Sequence, residues 1–165
     1  MHRRKTGSCA FHFLSSTALI SLGAVLLQST PAAAACLFSP TLGDDTFICD
    51  SGTSPGGLID LNGNNTLLLP NGGTGTLNGN ITFGSGVDRV EVHSGLIVGS
   101  VNQGDGLNSF LISGGRATGN VRQGNNIDEF QITGGEIGSL NQGNGYDRFF
   151  MSGGRIVDAF DDGEV

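Results

Sequence analysis

A unit of about twenty residues recurs through the second half of this chain, and it constrains the fold more than any other feature. Consecutive units read GSGVDRVEVHSGLIVGSVNQ from Gly84, GDGLNSFLISGGRATGNVRQ from Gly104, GNNIDEFQITGGEIGSLNQ from Gly124 and GNGYDRFFMSGGRIVDAFDD from Gly143. Their lengths are 20, 20, 19 and 20 residues, Gly163 begins a fifth unit, and two degenerate units start at Gly43 and Gly63. So constant a period indicates that each unit is one copy of the same supersecondary structure.

Each unit contains two apolar runs, and the first has the alternation of a strand with one buried face. We expect the inward positions of this run to be Val90, Val92, Phe110, Ile112, Phe130, Ile132, Phe149 and Met151, and the outward ones Glu91, Leu111, Gln131 and Phe150. A Ser-Gly or Gly-Gly turn follows, and then a second apolar pair: Ile97 and Val101, Ala117 and Val121, Ile137 and Leu140, Ile156 and Phe160. A second turn, at Gln103-Gly104, Gln123-Gly124 and Gln142-Gly143, leads to the next unit. The pattern predicts two strands and two turns per unit.

A unit this short is too small for a helical repeat and cannot bury its own apolar face. Stacking units about 4.8 Å apart would place like side chains on like, with Phe110, Phe130 and Phe149 as an internal ladder. The sequence therefore predicts an all-β parallel β-helix or β-solenoid with rungs of about 20 residues; a twisted antiparallel sandwich of hairpins is the alternative. Glycine without a three-residue period, 29 Gly against 4 Pro, excludes collagen.

The N-terminus has the order of an export signal. A basic segment at residues 2–5 precedes an apolar stretch from Ala18 to Leu27, which is shorter than the ~20 residues that span a bilayer. The small residues 32–35 follow a polar break. We interpret residues 1–35 as a cleaved signal peptide; the alternative is an apolar segment that stays in the mature fold. Residues 36–62 are then the start of the solenoid and residues 63–165 its repeats.

Cys36 and Cys49 remain after this cleavage, and an even pair in an oxidising compartment favours a disulfide. The alternative is that Cys36, directly after Ala35, carries a lipid. Two cysteines without a nearby histidine make a poor zinc site. The remaining 130 residues carry five Arg, no Lys and 15 acids, a net charge of −10, which disfavours nucleic acid as a partner.

Few residues have the pattern of a chemical site. The Gly-x-Gly-x-Asp segments at residues 84–88 and 143–147 look like half of a calcium-binding nonapeptide, but the period of 20 does not fit that motif. We favour the reading in which Asp88, Asn108, Asp128 and Asp147 stack as side chains that cap turns by bonding their own backbone. His93 has no nucleophile paired with it in the sequence, and the Ser-Gly-Gly turns lack a nucleophile-elbow context. We predict no catalytic residue, no metal site and no cofactor.

The signal peptide, the Cys36–Cys49 pair and the Gly-x-Asp-x-Phe…Ser-Gly-Gly-x-Ile repeats together resemble the N-terminal passenger region of bacterial autotransporters. The resemblance covers essentially the whole chain, although its motifs are structural. It implies a right-handed parallel β-helix, export from a Gram-negative bacterium, and presence at the cell surface or outer membrane, or secretion. Family members serve as adhesins or other surface factors, and some carry a protease or esterase module.

The resemblance also implies a C-terminal β-barrel translocator, whereas this sequence stops at Val165 without barrel strands. We therefore expect a fragment, a truncated gene product or a shortened relative that has lost its transporter. We expect it to act as a non-catalytic structural or adhesive surface module with host or cell-surface ligands. The alternative from another class is a calcium-organised secreted protein, or the scaffold of a larger secreted enzyme. A polysaccharide-cleaving β-helix is disfavoured, because Arg116 and Arg155 are separated by Glu136 in the repeat.

Overall fold

The computed structural model describes residues 35–164, which form a parallel β-solenoid of stacked rungs. The fold class predicted from the repeat is confirmed. The signal-peptide prediction for residues 1–35 lies outside the described residues, apart from Ala35. Residues 35–164 contain no helix that could cross a membrane.

Within residues 35–164, fifteen short strands, β1 to β15, build two sheets, and neighbouring strands pair in parallel. In chain order they are Thr46–Ile48, Leu58–Asp60, Thr66–Leu69, Thr76–Asn78, Ile81–Phe83, Arg89–Val92, Leu96–Val98, Val101–Asn102, Ser109–Ile112, Arg116–Arg122, Glu129–Ile132, Glu136–Asn141, Arg148–Met151, Arg155–Ile156 and Phe160–Asp161.

Sheet 1 contains the first apolar run of every rung, in the order β1-β3-β6-β9-β11-β13. Its register pairs Phe110 with Phe130 and Phe130 with Phe149. The rings of the first pair stack at 5.3 Å between centroids and those of the second at 5.8 Å. The predicted aromatic ladder is therefore present. Phe149 belongs to the last rung of the described chain and is 37% exposed, whereas Phe130 is completely buried.

Sheet 2 holds the second apolar run, and here the structure differs from the two strands per unit that the sequence predicted. The run is split in the rung from Gly84, where β7 and β8 are separate strands. In the rung from Gly104 it is one strand, β10, with a register irregularity between Ala117 and Asn120. Ala117 pairs with Ile137 twenty residues later and Asn120 pairs with Ser139 nineteen residues later, so the irregularity marks the residue that the unit from Gly124 lacks.

The two degenerate units are genuine rungs. Thr46 pairs with Thr66 twenty residues later, and Thr66 pairs with Arg89 twenty-three residues later. The extra residues lie between Leu69 and Thr76, because Thr76 pairs with Leu96 at the regular spacing of twenty. An insertion in a surface turn leaves the stacked strands in register.

Cys36 and Cys49 form the predicted disulfide, with Cα atoms 4.2 Å apart and both side chains buried. The ring of Phe38 packs edge-on against Phe47 at 5.7 Å, next to this bond. The disulfide therefore ties the chain before β1 to the first rung of the core.

Candidate functional site

The outward face of sheet 1 carries the alternate side chains of each strand, which point away from the core. Glu91, Leu111 and Gln131 occupy one outward column and are partly exposed, and Phe150 continues it with 53% exposure. The two-faced interpretation of the first apolar run is therefore confirmed for β6, β9 and β11, whereas in β13, at the end of sheet 1, Phe149 and Met151 are exposed as well. His93 lies directly after β6, at the end of this face.

His93 connects a serine and a glutamate that belong to different rungs. Its Nδ1 lies 2.7 Å from Oγ of Ser113, and its Nε2 lies 3.1 Å from Oε2 of Glu91. Glu91 also accepts a hydrogen bond from Nε of Arg89. Partial burial raises the pKa of Glu91, but the bonds from Arg89 and His93 outweigh it and hold that pKa below its usual value.

The sequence reading of His93 as a residue without a paired nucleophile is wrong. Ser113 follows His93 by twenty residues, which is one repeat, so the two side chains lie next to each other in neighbouring rungs. Ser113 occupies the position in the next unit that His93 occupies in its own, so the stacking of equivalent positions would have indicated this contact.

The order Ser113–His93–Glu91 is that of a serine-hydrolase relay, in which the imidazole would take the serine proton while its other nitrogen donates to the carboxylate. An acyl-transfer site also needs N–H donors aimed at the developing oxyanion. The N–H groups of Ser113 and Gly114 both donate to the carbonyl oxygen of Val92, at 2.9 and 3.4 Å. The relay thus lacks the donors that its own backbone could have supplied, and Ser113 is exposed to solvent.

A second outward group lies beyond the Gly-Gly turns. Nε of Arg116 lies 2.8 Å from one carboxylate oxygen of Glu136, and Nη2 of Arg155 lies 2.5 Å from the other. The sign alternation noted in the sequence is therefore a ladder of ion pairs across three rungs. Because both arginines are more than half exposed, such pairs contribute little stability.

The Asx column consists of the residues that precede the strands of sheet 1: Asn65, Asp88, Asn108, Asp128 and Asp147. These residues stack as predicted, and the asparagines cap their own turns through Nδ2, but the main bond of the column, through Oδ1, was not predicted. The Oδ1 of each accepts from the backbone N–H of the column residue in the preceding rung: Asn65 to Asp88 at 2.7 Å, Asp88 to Asn108 at 3.0 Å, Asn108 to Asp128 at 2.7 Å and Asp128 to Asp147 at 2.8 Å. The column therefore joins rungs to one another.

Two carboxyl groups of the Asx column are strongly perturbed. Burial, together with the nearby charge of Asp60, raises the pKa of Asp88 to about 6, although the hydrogen bonds from Asn65 act in the opposite direction. Burial likewise raises the pKa of Asp128 to about 7, with the charges of Asp147 and Asp105 acting in the same direction. Both side chains are 1% exposed, and their Oδ2 atoms have no hydrogen-bond partner.

The glutamine column, Gln103, Gln123 and Gln142, is a feature that the sequence analysis missed. These residues were predicted to lie in the second turn, but their side chains point inward and are at most 1% exposed. Nε2 of each donates to a strand carbonyl six residues later, that of Ser109, Glu129 or Arg148. The turn therefore begins only at the glycine that follows, and the buried Nε2 atoms are satisfied by these carbonyls.

A stripe of exposed apolar residues runs along the solenoid at the position just before the Asx column. Its members are Val87, Leu107, Ile127 and Tyr146, which are between 50% and 73% exposed. They occupy equivalent places in four consecutive rungs, so the stripe is continuous. Contiguous apolar surface of this kind is characteristic of contact sites.

No group of three or more His, Cys, Asp or Glu side chains in residues 35–164 is arranged to hold a metal ion. Comparison of the chain with protein-family models, with curated proteins and with solved structures finds no match. The fold defines the chain as a parallel β-solenoid, and its functional assignment depends on its own residues.

Proposed function

We propose that the chain is a non-catalytic structural or adhesive module of an exported cell-surface protein, similar to an autotransporter passenger. A solenoid is an extended scaffold in which every rung presents the same outward positions, so one kind of surface is repeated along its length. The observation that carries the adhesive part of the proposal is the apolar stripe from Val87 to Tyr146 on this scaffold.

Two further observations support export. The Cys36–Cys49 disulfide belongs to an oxidising compartment, and the acidic composition keeps a surface protein soluble. Expression of the full chain in a Gram-negative host tests this part of the proposal. We expect protein outside the cytoplasm with a mature N-terminus within residues 34–36; cytoplasmic protein that retains Met1 would contradict export.

Adhesion is tested with fluorescent beads coated with the purified protein, applied to cultured epithelial cells and to a glycan array. We expect retention that decreases at least severalfold when Leu107 and Ile127 are both replaced by Asp. Ile59→Asp is the matched control, because Ile59 is also apolar and 66% exposed but lies outside the stripe. Retention no greater than that of albumin-coated beads, or an equal loss in the control, would overturn the adhesive role.

The second candidate is a scaffold with hydrolytic chemistry, and the Ser113–His93–Glu91 relay is the observation that favours it. Hydrolysis of p-nitrophenyl acetate by the wild type and by His93→Ala separates the two candidates. The non-catalytic proposal requires equal rates per mole of protein. A rate that decreases at least tenfold in His93→Ala, together with fluorophosphonate labelling of Ser113, would establish the hydrolytic alternative.

A further inference from the structure

The Asx column contains two kinds of residue, and the asparagines show what the second side-chain atom does at this position. Nδ2 of Asn108 donates to the carbonyl oxygen of Gly104 at 3.1 Å, and Nδ2 of Asn65 donates to the carbonyl oxygen of Asn62 at 2.9 Å. In both rungs the side chain thus accepts with one atom, across the rungs, and donates with the other to a carbonyl of its own turn.

In the aspartate rungs the second atom is a carboxyl oxygen. Oδ1 of Asp88 and of Asp128 makes the same bond across rungs as Oδ1 of Asn108. Because a carboxyl group and a carboxamide have the same shape, we infer that Oδ2 takes the place of the asparagine Nδ2, on the side of a carbonyl of its own turn. It is buried and has no partner in either residue. An ionised carboxylate here would place two acceptors together without a hydrogen between them, which is costly away from water.

We propose that Asp88 and Asp128 are proton-binding sites, whose carboxyl groups are neutral acids in the folded solenoid and donate Oδ2–H to the carbonyl oxygens of Gly84 and Gly124, as Asn108 donates to Gly104. A protonated carboxyl group has one donor and one acceptor, the same hydrogen-bonding capacity that the carboxamide uses in this column.

The charged groups around these two side chains favour the neutral form. Asp60 on β2 faces Asp88, and Asp147 and Asp105 face Asp128; these neighbours are all acids. The side chains above and below along the column are otherwise the uncharged Asn65 and Asn108. The raised pKa values of Asp88, about 6, and Asp128, about 7, agree with this arrangement.

The raised pKa values determine how the stability of the solenoid changes with pH. Below about pH 4, where an aspartate in the unfolded chain is protonated, these groups do not make stability depend on pH. As the pH rises from about 4 to the folded pKa values near 6 and 7, the unfolded state loses its protons first and the solenoid becomes less stable. The fold is therefore expected to be more stable at pH 5 than at pH 8.

The experiment compares thermal unfolding at pH 5 and pH 8 for the wild type, Asp128→Asn and Asp88→Asn. We expect the wild-type Tm to fall on the order of 10 °C between the two pH values. Each Asn variant should unfold within a few degrees of the wild type at pH 5 and above it at pH 8. Asp158→Asn is the control for removal of an exposed negative charge, and it should keep the full pH dependence.

The reverse substitution, Asn108→Asp, adds an acid to the column and should lower the Tm much more at pH 8 than at pH 5. Equal Tm values of the wild type at the two pH values, or Asn variants that are no more stable than the wild type at pH 8, would overturn the proposal. The side-chain ¹³Cγ signals of Asp88 and Asp128 provide a readout other than stability. They should titrate well above the ordinary aspartate range, and titration near pH 4 would equally overturn the proposal.

A bound cation would also neutralise the Oδ2 atoms of Asp88 and Asp128. Measuring the Tm with and without calcium distinguishes a cation from a proton at this site. Millimolar CaCl₂ and EDTA should give the same wild-type Tm at pH 8 if a proton occupies the site. A Tm that rises with calcium in the wild type but not in Asp128→Asn would show that a cation is the ligand and would overturn the proposal.

Discussion

The side-chain amide of Gln123 donates a hydrogen bond to Oε1 of Gln103, 3.3 Å away in the neighbouring rung, and both residues are completely buried. Gln142 continues the series by donating to Oε1 of Gln123 at 3.4 Å. A polar ladder therefore runs inside the solenoid beside the Asx column. Its hydrogen bonds require an in-register stack, because each amide uses a partner from the next rung.

The glutamine column provides a prediction about charge inside the core. Gln123→Glu at pH 8 replaces the donating amide by a carboxylate that faces the carbonyl oxygen of Glu129. We expect a loss of at least about 2 kcal/mol in the free energy of unfolding. Gln131→Glu makes the same chemical change on the outward face and should change stability by less than ~0.5 kcal/mol. Urea denaturation measures both; equal losses would mean that Gln123 is not inside.

The aromatic ladder of sheet 1 provides a prediction about packing. Phe130 is completely buried between Phe110 and Phe149, so Phe130→Ala should cost ~3–5 kcal/mol. Phe150 has the opposite parity and is 53% exposed, so Phe150→Ser should be mild although it also removes an aromatic ring. Chemical denaturation compares the two variants. Comparable losses would contradict the two-faced strand.

The stacking of turns predicts unequal effects at two glycines that have the same backbone conformation. Gly52 and Gly104 both have φ of +72°, which is strained for alanine by about 1–2 kcal/mol. A Cβ on Gly52 meets open space, whereas on Gly104 it would collide with the carbonyl oxygen of Gly84 in the preceding rung.

Gly104→Ala should therefore destabilise the solenoid by about 1–3 kcal/mol more than Gly52→Ala. Thermal and urea unfolding of both variants measure the difference. Since the φ strain is shared, the difference isolates the close approach of neighbouring rungs, and indistinguishable variants would rule that approach out.

Removal of the disulfide should have a local effect. Cys49→Ala with Cys36→Ala should cost roughly 3 kcal/mol in the N-terminal rungs, because the unfolded chain is no longer constrained there. Rungs contact only their neighbours, so hydrogen exchange should accelerate before about residue 69 and change little in β9 to β12. Uniform acceleration along the whole chain would show that the solenoid unfolds as one unit.

Several features of the fold could be predicted because they are periodic. The recurrence of Gly-x-x-x-Asx and the alternation around Phe110 and Phe130 identified rungs, their spacing and the buried face of sheet 1. The same period could have placed Ser113 on His93, since every side chain in a solenoid lies one repeat away from its equivalent. The Cys36–Cys49 bond was predicted from the even number of cysteines that would remain after removal of the predicted signal peptide.

The sequence by itself thus determined the stacking. One rung cannot bury its own apolar face, so identical rungs must pack on one another to remove these side chains from water. The tertiary structure decided the fate of the polar residues. Gln103 next to Gly104 reads as a turn, and Asp88 reads as a local cap, because hydrogen-bonding preference along a chain is short-ranged. Both side chains instead bond groups supplied by other strands or rungs. Only stacking brings those groups within reach, so the interior position of the glutamines and the unpartnered oxygens of the aspartates became visible only in three dimensions.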